Sequence, residues 1–282
     1  MCTFMHVYIL VHARYDPRMN HEIPLARRDA IASRLAQGQP VVAATLAVEF
    51  SVSEDAIRRD LRALAAEGRC RRVYGGALPI TPASAPMAAR MDEARERKDA
   101  LARAAVSLIQ RGELVFLDSG STNLALVELL PEDYELTVVS NSIDIAAAVL
   151  GRSDLLLIMI GGAVDPAVGG AIDASAVQDV AQMNFDRCFI GACAISLKGG
   201  VSAFSRADAT FKRAVLAASD HSVILATTDK LAARASHRVA PLKEIECLVV
   251  EHDIPRAEYL TLSKVGPTVL KAALPASQAL CS

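Results

Sequence analysis

The sequence predicts a small N-terminal helical domain followed by a larger α/β domain whose mostly parallel sheet is covered by helices. A length of 282 residues is roughly twice that of one ordinary domain. The N-terminal part contains closely spaced amphipathic helices. From about residue 112, short and continuously apolar runs alternate with helical segments. Such runs are typical of parallel strands that are buried on both faces.

The composition excludes several classes of protein. With 52% hydrophobic residues the chain can build a core, so wholesale disorder is excluded. Thirty basic residues against 32 acidic ones give a net charge of −2, so any nucleic-acid site must be a local patch. The sequence contains no run of about 20 apolar residues that would predict a membrane span. The six cysteines form no CxxC pair and no Cys/His cluster, which predicts reduced thiols, no metal site and a cytoplasmic protein.

Residues 1–22 are predicted to be an N-terminal extension that is disordered or that precedes the true start of the protein. Residues 23–78 are predicted to form a three-helix domain with a basic end. In the first helix Ile31 and Leu35 share one face, and a second short helix covers about 42–50. Ser53 is a good N-cap for a third helix that ends near Glu67. A short helix, a three-residue turn and a longer helix have the dimensions of a helix-turn-helix.

The third helix and its flank concentrate positive charge. Between Ala56 and Ala77 there are six arginines and two acidic residues, a local charge of +4. One interpretation is a solvated face on which Glu54 and Asp55 form i,i+4 ion pairs with the arginines. The helix-turn-helix context favours the other interpretation, contact with DNA phosphates.

The run VSEDAIRRDL at 52–61, followed by RVYGGA at 72–77, closely resembles the DNA-binding domain of DeoR-family transcriptional regulators. The family pattern is V-S-x-x-T-I-R-R-D-L and then R-x-H-G-G-A, so Ala56 replaces a threonine and Tyr74 a histidine. The resemblance implies a winged helix-turn-helix that binds double-stranded DNA. With the basic pattern it gives these predicted DNA-binding residues: Ser53, Arg58, Arg59, Arg62, Arg71, Arg72, Gly75 and Gly76.

Residues 79–96 predict a linker, residues 97–262 the α/β domain and residues 263–282 a C-terminal tail. Apolar runs predict strands at 114–117, 136–139, 155–160, 188–190, 223–226 and 247–250. Helical patterns between them predict helices near 123–130, 143–150, 174–184 and 208–218. Ligands of such sheets bind at the carboxyl ends of the strands.

The segment Asp118-Ser119-Gly120-Ser121-Thr122 leaves the first of these strands and enters a helix. Its hydroxyls and free amides are typical of a phosphate cradle, although an ordinary capped turn would share the pattern. The segment lacks a P-loop or dinucleotide fingerprint, so no cofactor is predicted. The predicted effector-binding set adds residues at later strand ends and two lysines: Asn141, Ser142, Gly162, Lys212 and Lys230.

These segments also resemble the effector domain of the DeoR family, which is similar in fold to ribose-5-phosphate isomerase and senses phosphorylated sugars. The sequence departs from that family at Thr227-Thr228-Asp229-Lys230, where an acidic residue usually precedes Ser-Ser-Lys, and at Asp208, where Glu is common. An isomerase needs a carboxylate base beside a cation. The segments GACA at 191–194 and Phe211-Lys212 lack the isomerases' carboxylates, which leaves Asp118 and Asp208 as substitutes.

The resemblance therefore implies a transcriptional regulator that is not an enzyme. We expect a repressor of a carbohydrate-catabolism operon that a phosphorylated sugar releases from its operator. The alternatives are a sugar-phosphate isomerase, an activator of the same architecture, and a constitutive DNA-binding protein whose sensor is degenerate, as the departure at 227–229 would suggest. Because one helix-turn-helix reads a half-site, a homo-oligomer, dimer or tetramer, is expected.

Overall fold

The structure is a computed structural model that describes residues 24–36, 41–67, 69–79, 94–231, 233 and 235–274. The predicted N-terminal extension lies outside these residues, as do positions 80–93 of the predicted linker and the last eight residues of the predicted tail. The chain divides into two units, with the boundary between Thr81 and Pro82. Within the described ranges, no helix has both the length and the apolar character needed to cross a bilayer.

The described residues of the first unit form three helices and a small antiparallel sheet. The helices are α1 (Pro24–Ala36), α2 (Ala43–Glu49) and α3 (Glu54–Ala66). The strands β1 (Val41–Val42), β2 (Cys70–Val73) and β3 (Gly76–Pro79) lie in the order β1-β3-β2. The β2–β3 hairpin is the wing that accompanies the helix-turn-helix.

A small apolar core holds this unit together. Ile31 of α1, Leu46 of α2 and the α3 residues Ile57 and Leu61 are almost completely buried in one cluster. This arrangement confirms the helical face predicted from the spacing of the apolar residues. Arg27 of α1 donates a hydrogen bond of 2.7 Å to Asp60 of α3, and this largely buried ion pair joins the two helices.

The second unit is built on a seven-stranded parallel sheet in the order β15-β14-β12-β9-β4-β5-β6. Its strands are β4 (Leu114–Leu117), β5 (Thr137–Ser140), β6 (Leu156–Met159), β9 (Phe185–Ile190), β12 (Ser219–Ala226), β14 (Cys247–Val250) and β15 (Thr268–Lys271). The helices are α4 (Arg95–Val106), α5 (Ser121–Val127), α6 (Ile143–Leu150), α7 (Ala174–Val180), α8 (Arg206–Ala217) and α9 (Arg256–Leu262). This confirms the predicted α/β class.

Smaller strands complete the second unit. The hairpin of β7 (Val164–Asp165) and β8 (Gly170–Ala171) follows β6, and a separate antiparallel sheet has the order β10-β11-β13. That sheet consists of β10 (Ala194–Ser196), β11 (Gly200–Ala203) and β13 (His237–Ala240), and 3-10 turns lie at Thr228–Lys230 and Leu242–Glu244. These short strands were not predicted from the sequence.

Two apolar clusters, one on each face, bury the large sheet. One contains Phe116, Phe185 and Phe211, whose rings pack with centroids 5.1 Å (Phe116–Phe185) and 6.0 Å (Phe116–Phe211) apart. The other contains Leu117 and Val138 beneath α4, α5 and α6. Burial on both faces explains why the central strands are continuously apolar.

The structure corrects the predicted C-terminal tail. Thr268–Lys271 forms β15, an edge strand that pairs in parallel with β14, so the sheet extends nine residues beyond the predicted domain end at 262. The apolar residues of this short strand are only half-buried, which explains why it lacks the strong pattern of the central strands. The linker also ends earlier than predicted: α4 begins at Arg95, whereas the predicted linker extends to residue 96.

Candidate DNA-binding and effector sites

Helix α3 presents the predicted DNA-binding residues of the first unit. Ser53 is the N-cap as predicted: its hydroxyl accepts a hydrogen bond of 3.3 Å from the amide of Ala56. Arg58 pairs with Glu54 at 2.8 Å and with Asp55 at 3.4 Å, so only part of the expected i,i+4 pattern forms. Arg59 and Arg62 are exposed. Within the described part of the chain, neither arginine forms an ion pair.

The wing positions a further arginine and a glycine-containing turn. Arg72 is exposed on β2, and Tyr74 at the hairpin turn is fully exposed. Gly75 has a φ of +81°, which favours glycine, and its carbonyl accepts from the amide of Ala43 at 2.8 Å. A Cβ on Gly76 would lie 2.1 Å from the carbonyl oxygen of Val41. Gly75 and Gly76 therefore shape the wing, and Arg71 contributes its backbone to β2.

In the second unit, a buried ionic cluster forms where β4 ends. Lys212 of α8 lies with its Nζ 3.0 Å from Oδ2 of Asp118 and is also hydrogen-bonded to Asp208, one helical turn earlier. The amide of Gly191, at the end of β9, donates to Asp118 Oδ2 at 2.8 Å. All three charged side chains are almost completely buried. Asp208 was not among the predicted binding residues, although its i,i+4 spacing from Lys212 was visible in the sequence.

Burial and mutual charge determine the protonation of this cluster. Burial opposes the charged form of Lys212, but the carboxylates of Asp118 and Asp208 outweigh it and raise the pKa of the ammonium group. Burial, with Asp208 nearby, raises the pKa of Asp118, and Lys212 opposes that rise. Burial also raises the pKa of the half-buried Cys193 thiol, so Cys193 is a poor nucleophile.

Asn141 connects the loop after β4 with the loop after β5. Its Oδ1 accepts from the amide of Ser119 at 3.1 Å, and its Nδ2 donates to the carbonyl of Ala171 at 3.0 Å. Ser142 caps α6 by accepting from the amide of Ile145 at 3.5 Å. The structure thus brings Asp118, Ser119 and Asn141 together at the edge of the sheet where the carboxyl ends of the parallel strands meet. Lys212 reaches the same edge from α8.

The turn into α5 presents the remaining part of the predicted cradle. Gly120 and Thr122 are buried, whereas Ser121 is half-buried. The amide of Leu124 is the first to bond back into this turn, and it donates to the carbonyl of Gly120 at 2.9 Å. The amides before it have no intrahelical acceptor, as at the start of any helix. The amide of Ser119, by contrast, is already used by Asn141.

The hairpin β7–β8 covers this edge. A Cβ added to Gly170 would lie 2.8 Å from Asn141 Nδ2 and 3.0 Å from Ser119 Cβ, so the backbone passes directly over both residues. Gly162, a predicted site residue, lies instead against the Asp173 carboxylate at the base of the hairpin. Sequence reasoning missed Gly170, because nothing in the local pattern separates it from an ordinary turn glycine.

A second polar network lies at the carboxyl end of β14. Glu251 is buried, forms an ion pair with Arg97 of α4 and accepts a hydrogen bond of 2.6 Å from the amide of Thr228. Lys230, the other predicted lysine, is half-buried in the same 3-10 turn and is one of the charges that act on Cys193. No cluster of three or more His, Cys, Asp or Glu side chains in the described ranges is placed to hold a metal ion.

Comparison with known proteins identifies the family. Residues 27–83 match the DeoR-like helix-turn-helix domain, and residues 93–252, more than half of the chain, match the DeoR C terminal sensor domain. The chain belongs to the DeoR family. It is a DNA-binding transcriptional regulator, and the predicted resemblance of the second unit to the effector domain of the family is confirmed.

Several relatives align with this DeoR-family chain over most of their length. A protein of Escherichia coli O157:H7, named for repression of the aga operon, is 30% identical over 86% of this chain and 92% of its own. The HTH-type regulator YgbI of Escherichia coli K12 is 31% identical over 89% and 98%. The glycerol-3-phosphate regulon repressor of Escherichia coli K12 is 26% identical over 81% and 91%.

Solved structures show a weaker likeness to the DeoR-family chain. Ribose 5-phosphate isomerase A from Neisseria gonorrhoeae aligns with a TM-score of 0.37 and 20% identity over 51% of this chain and 56% of that one. At a TM-score this low, the likeness says nothing about the activity of this chain. The family and the named relatives are regulators, so the isomerase alternative has no support in sequence similarity.

Proposed function

We propose that this DeoR-family regulator represses a carbohydrate-catabolism operon in the cytoplasm and leaves its operator when a phosphorylated sugar binds the second unit. No resident cofactor or metal takes part in this proposal. One observation carries it: a single chain has an exposed arginine-bearing recognition helix and a polar cluster at the carboxyl edge of a parallel sheet. The names of the aga and glycerol-3-phosphate relatives support the connection with sugar and polyol metabolism.

In this proposal the two sites have separate tasks. Arg59, Arg62 and Arg72 contact the phosphates of the operator, and the amides and hydroxyls at Ser121 and Thr122 bind the phosphate of the effector. Release requires that the effector binds one conformation or assembly more tightly than the other, since equal affinity would shift nothing. The effector must therefore favour a form of the protein that holds DNA less well.

The assignment of the effector site can be tested with a variant that keeps the DNA-binding residues intact. We expect the double variant Ser121→Ala, Thr122→Ala to bind operator DNA normally but to lose release by sugar phosphates, because both hydroxyls are removed from the turn. An electrophoretic or anisotropy assay on an operator fragment, with and without a panel of sugar phosphates, measures both properties.

The matched control removes the same two residue types from the region of helix α9. Thr261 and Ser263 are exposed, and their hydroxyls bond to carbonyls one turn earlier, so Thr261→Ala with Ser263→Ala should behave like the wild type. Normal release in the Ser121, Thr122 double variant would refute the assignment of this turn to phosphate.

We also propose that the regulator is a homo-oligomer, because one helix-turn-helix reads only a half-site. The edge strand β6 supports this proposal. Its sequence is Leu-Leu-Ile-Met, without the charges or prolines that commonly protect an edge, and Leu156 is 69% exposed. Leu150, at the end of the neighbouring helix α6, is 75% exposed. A second copy paired at this edge would cover both side chains.

The variant Leu156→Lys is expected to shift the oligomer towards monomer and to weaken operator binding, because a buried ammonium group would oppose pairing at β6. Sedimentation velocity measures the mass, and circular dichroism checks the fold. Gln178→Lys, at an exposed position of α7, adds the same charge elsewhere and should leave the mass unchanged. Equal masses for the wild type and Leu156→Lys would exclude β6 as the contact.

A further inference from the structure

Two buried polar atoms directly after β4 have no hydrogen-bond partner. They are Oδ1 of Asp118 and Oγ of Ser119, and within the described residues they are the only buried side-chain nitrogen or oxygen atoms without one. Asp118 is fully buried and Ser119 is 5% exposed. Such atoms are rare in folded proteins because an unmade hydrogen bond in the interior destabilises the fold.

The neighbouring side chains of Asn123 and Ser140, by contrast, have hydrogen-bond partners. Asn123 donates to the carbonyls of Asp118 and Phe189, both at 2.9 Å. Ser140, which ends the neighbouring strand, donates to the carbonyl of Leu117 at 2.7 Å and accepts from the amide of Ser142 at 3.1 Å. The free atoms are therefore local to the first two residues after β4.

The chemistry of the free atoms decides what they can bind. Oδ2 of Asp118 accepts from Lys212 and Gly191, which leaves Oδ1 as the free oxygen. The Lys212 ammonium group favours the carboxylate form of Asp118, and a carboxylate Oδ1 can only accept. Asp118, Asp208 and Lys212 together carry two negative charges and one positive charge, and a phosphate placed on Asp118 would add further repulsion. A neutral hydroxyl can donate to Asp118 Oδ1, and a neighbouring hydroxyl can pair with Ser119 Oγ.

We infer that Asp118 and Ser119 form a hydroxyl-binding subsite that recognises two adjacent hydroxyl groups on the carbon chain of the effector, whereas the phosphate is bound elsewhere. This inference rests on the proposed function and deepens it, because it divides the predicted cradle into a part for the sugar and a part for the phosphate. The hydroxyl-binding subsite selects among phosphorylated compounds by the arrangement of their hydroxyls.

Access to the hydroxyl-binding subsite lies under the hairpin. Both free atoms are shielded from solvent, and a Cβ added to Gly170 would lie 3.0 Å from Ser119 Cβ. The effector therefore reaches Ser119 only when the β7–β8 hairpin moves away from it. The hydrogen bonds that the effector then makes are available in the open form alone, which supplies the difference in affinity that release from DNA requires.

The test compares two neighbouring buried serines in the full-length protein by thermal unfolding. Ser119→Ala removes an unpaired hydroxyl, so its melting temperature without additive should equal or exceed that of the wild type. Ser140→Ala removes a hydroxyl with two partners and should lower the melting temperature. The probes are inorganic phosphate and a panel of pentose 5-phosphates and hexose 6-phosphates, because bound ligand raises the melting temperature.

For the sugar phosphate that stabilises the wild type most, we expect Ser119→Ala to weaken the apparent Kd about tenfold or more while the response to inorganic phosphate is unchanged. Asp118→Asn should do the same, because its amide keeps the shape but no longer provides the free carboxylate oxygen. If Asp118→Asn does not fold, Ser119→Ala alone decides.

The outcomes separate this inference from the proposed function. Sugar-phosphate affinity that Ser119→Ala leaves unchanged, or an equal loss for inorganic phosphate and sugar phosphate, would overturn the hydroxyl-binding subsite alone. If no sugar phosphate shifts the melting temperature of the wild type, both the proposed function and the subsite are overturned.

Discussion

Replacing Lys212 by methionine is expected to destabilise the second unit by about 3–5 kcal/mol, the usual effect of removing one partner from a buried ion pair. The variant would leave Asp118 and Asp208 facing each other in the interior without a cation. Methionine keeps most of the volume of the lysine stem, so the loss would come from charge and not from a cavity. Urea unfolding followed by circular dichroism measures it, which suits a chain that has no tryptophan.

The pH dependence of the Lys212→Met variant provides a second, independent signature. Burial and the neighbouring carboxylate already raise the pKa of Asp118, and Lys212 opposes this rise together with the amide of Gly191. Without Lys212 the folded state binds a proton more tightly than the unfolded state. The variant should therefore regain stability as the pH falls towards the raised pKa, and lose it as the pH rises.

Lys198→Met is the matched control, because Lys198 is exposed in the turn between β10 and β11. It should change the free energy of unfolding by about 0.5 kcal/mol or less. A similarly small effect for Lys212→Met would show that the ionic cluster does not stabilise the fold. Partial rescue of Lys212→Met by Asp208→Asn would show that the uncompensated carboxylates cause the loss.

Replacing Arg59 by alanine should weaken binding to every duplex, specific or not, and lower the slope of log K against log salt concentration by about one. Arg59 is exposed on α3, and within the described residues it has no ion pair to lose. Its removal therefore leaves the folded domain unchanged and subtracts one phosphate contact. Fluorescence anisotropy with a labelled operator fragment at several salt concentrations measures both quantities.

Arg256→Ala, on the exposed face of α9, removes the same charge from the second unit and controls for the net charge of the protein. It should leave the salt slope unchanged. If Arg59→Ala weakened only one DNA sequence and left the slope intact, Arg59 would be reading a base edge and not a phosphate.

The strongest patterns in the sequence predicted the elements that the structure buries on both faces. β4 and β14 have the predicted bounds, because a parallel strand between two helical layers must be apolar at every position. The helix α6 also has its predicted bounds. The short strands β7, β8 and β10 carry two or three residues each, which is too few for a period to appear. β15 is an edge strand whose side chains are only partly buried, so fewer of its positions need to be apolar.

The sequence predicted most of the segments that form the candidate effector site, but not the contacts between them. The Ser/Gly/Thr turn after β4 and the residues after β5 follow from where parallel strands end. The contact between Asp118 and Lys212 joins residues that are far apart in sequence, so only the tertiary fold reveals it. Which polar atoms remain unpaired is likewise decided by tertiary packing, and no local pattern encodes it.

The Arg97–Glu251–Thr228 network has a mechanical consequence. Arg97 stands in the first turn of α4, the helix that follows the linker segment, and Glu251 joins it to the turn that carries Lys230. That turn cannot be displaced unless the ion pair breaks or the start of α4 travels with it. The network is thus a tether between the start of α4 and the rim of the sheet.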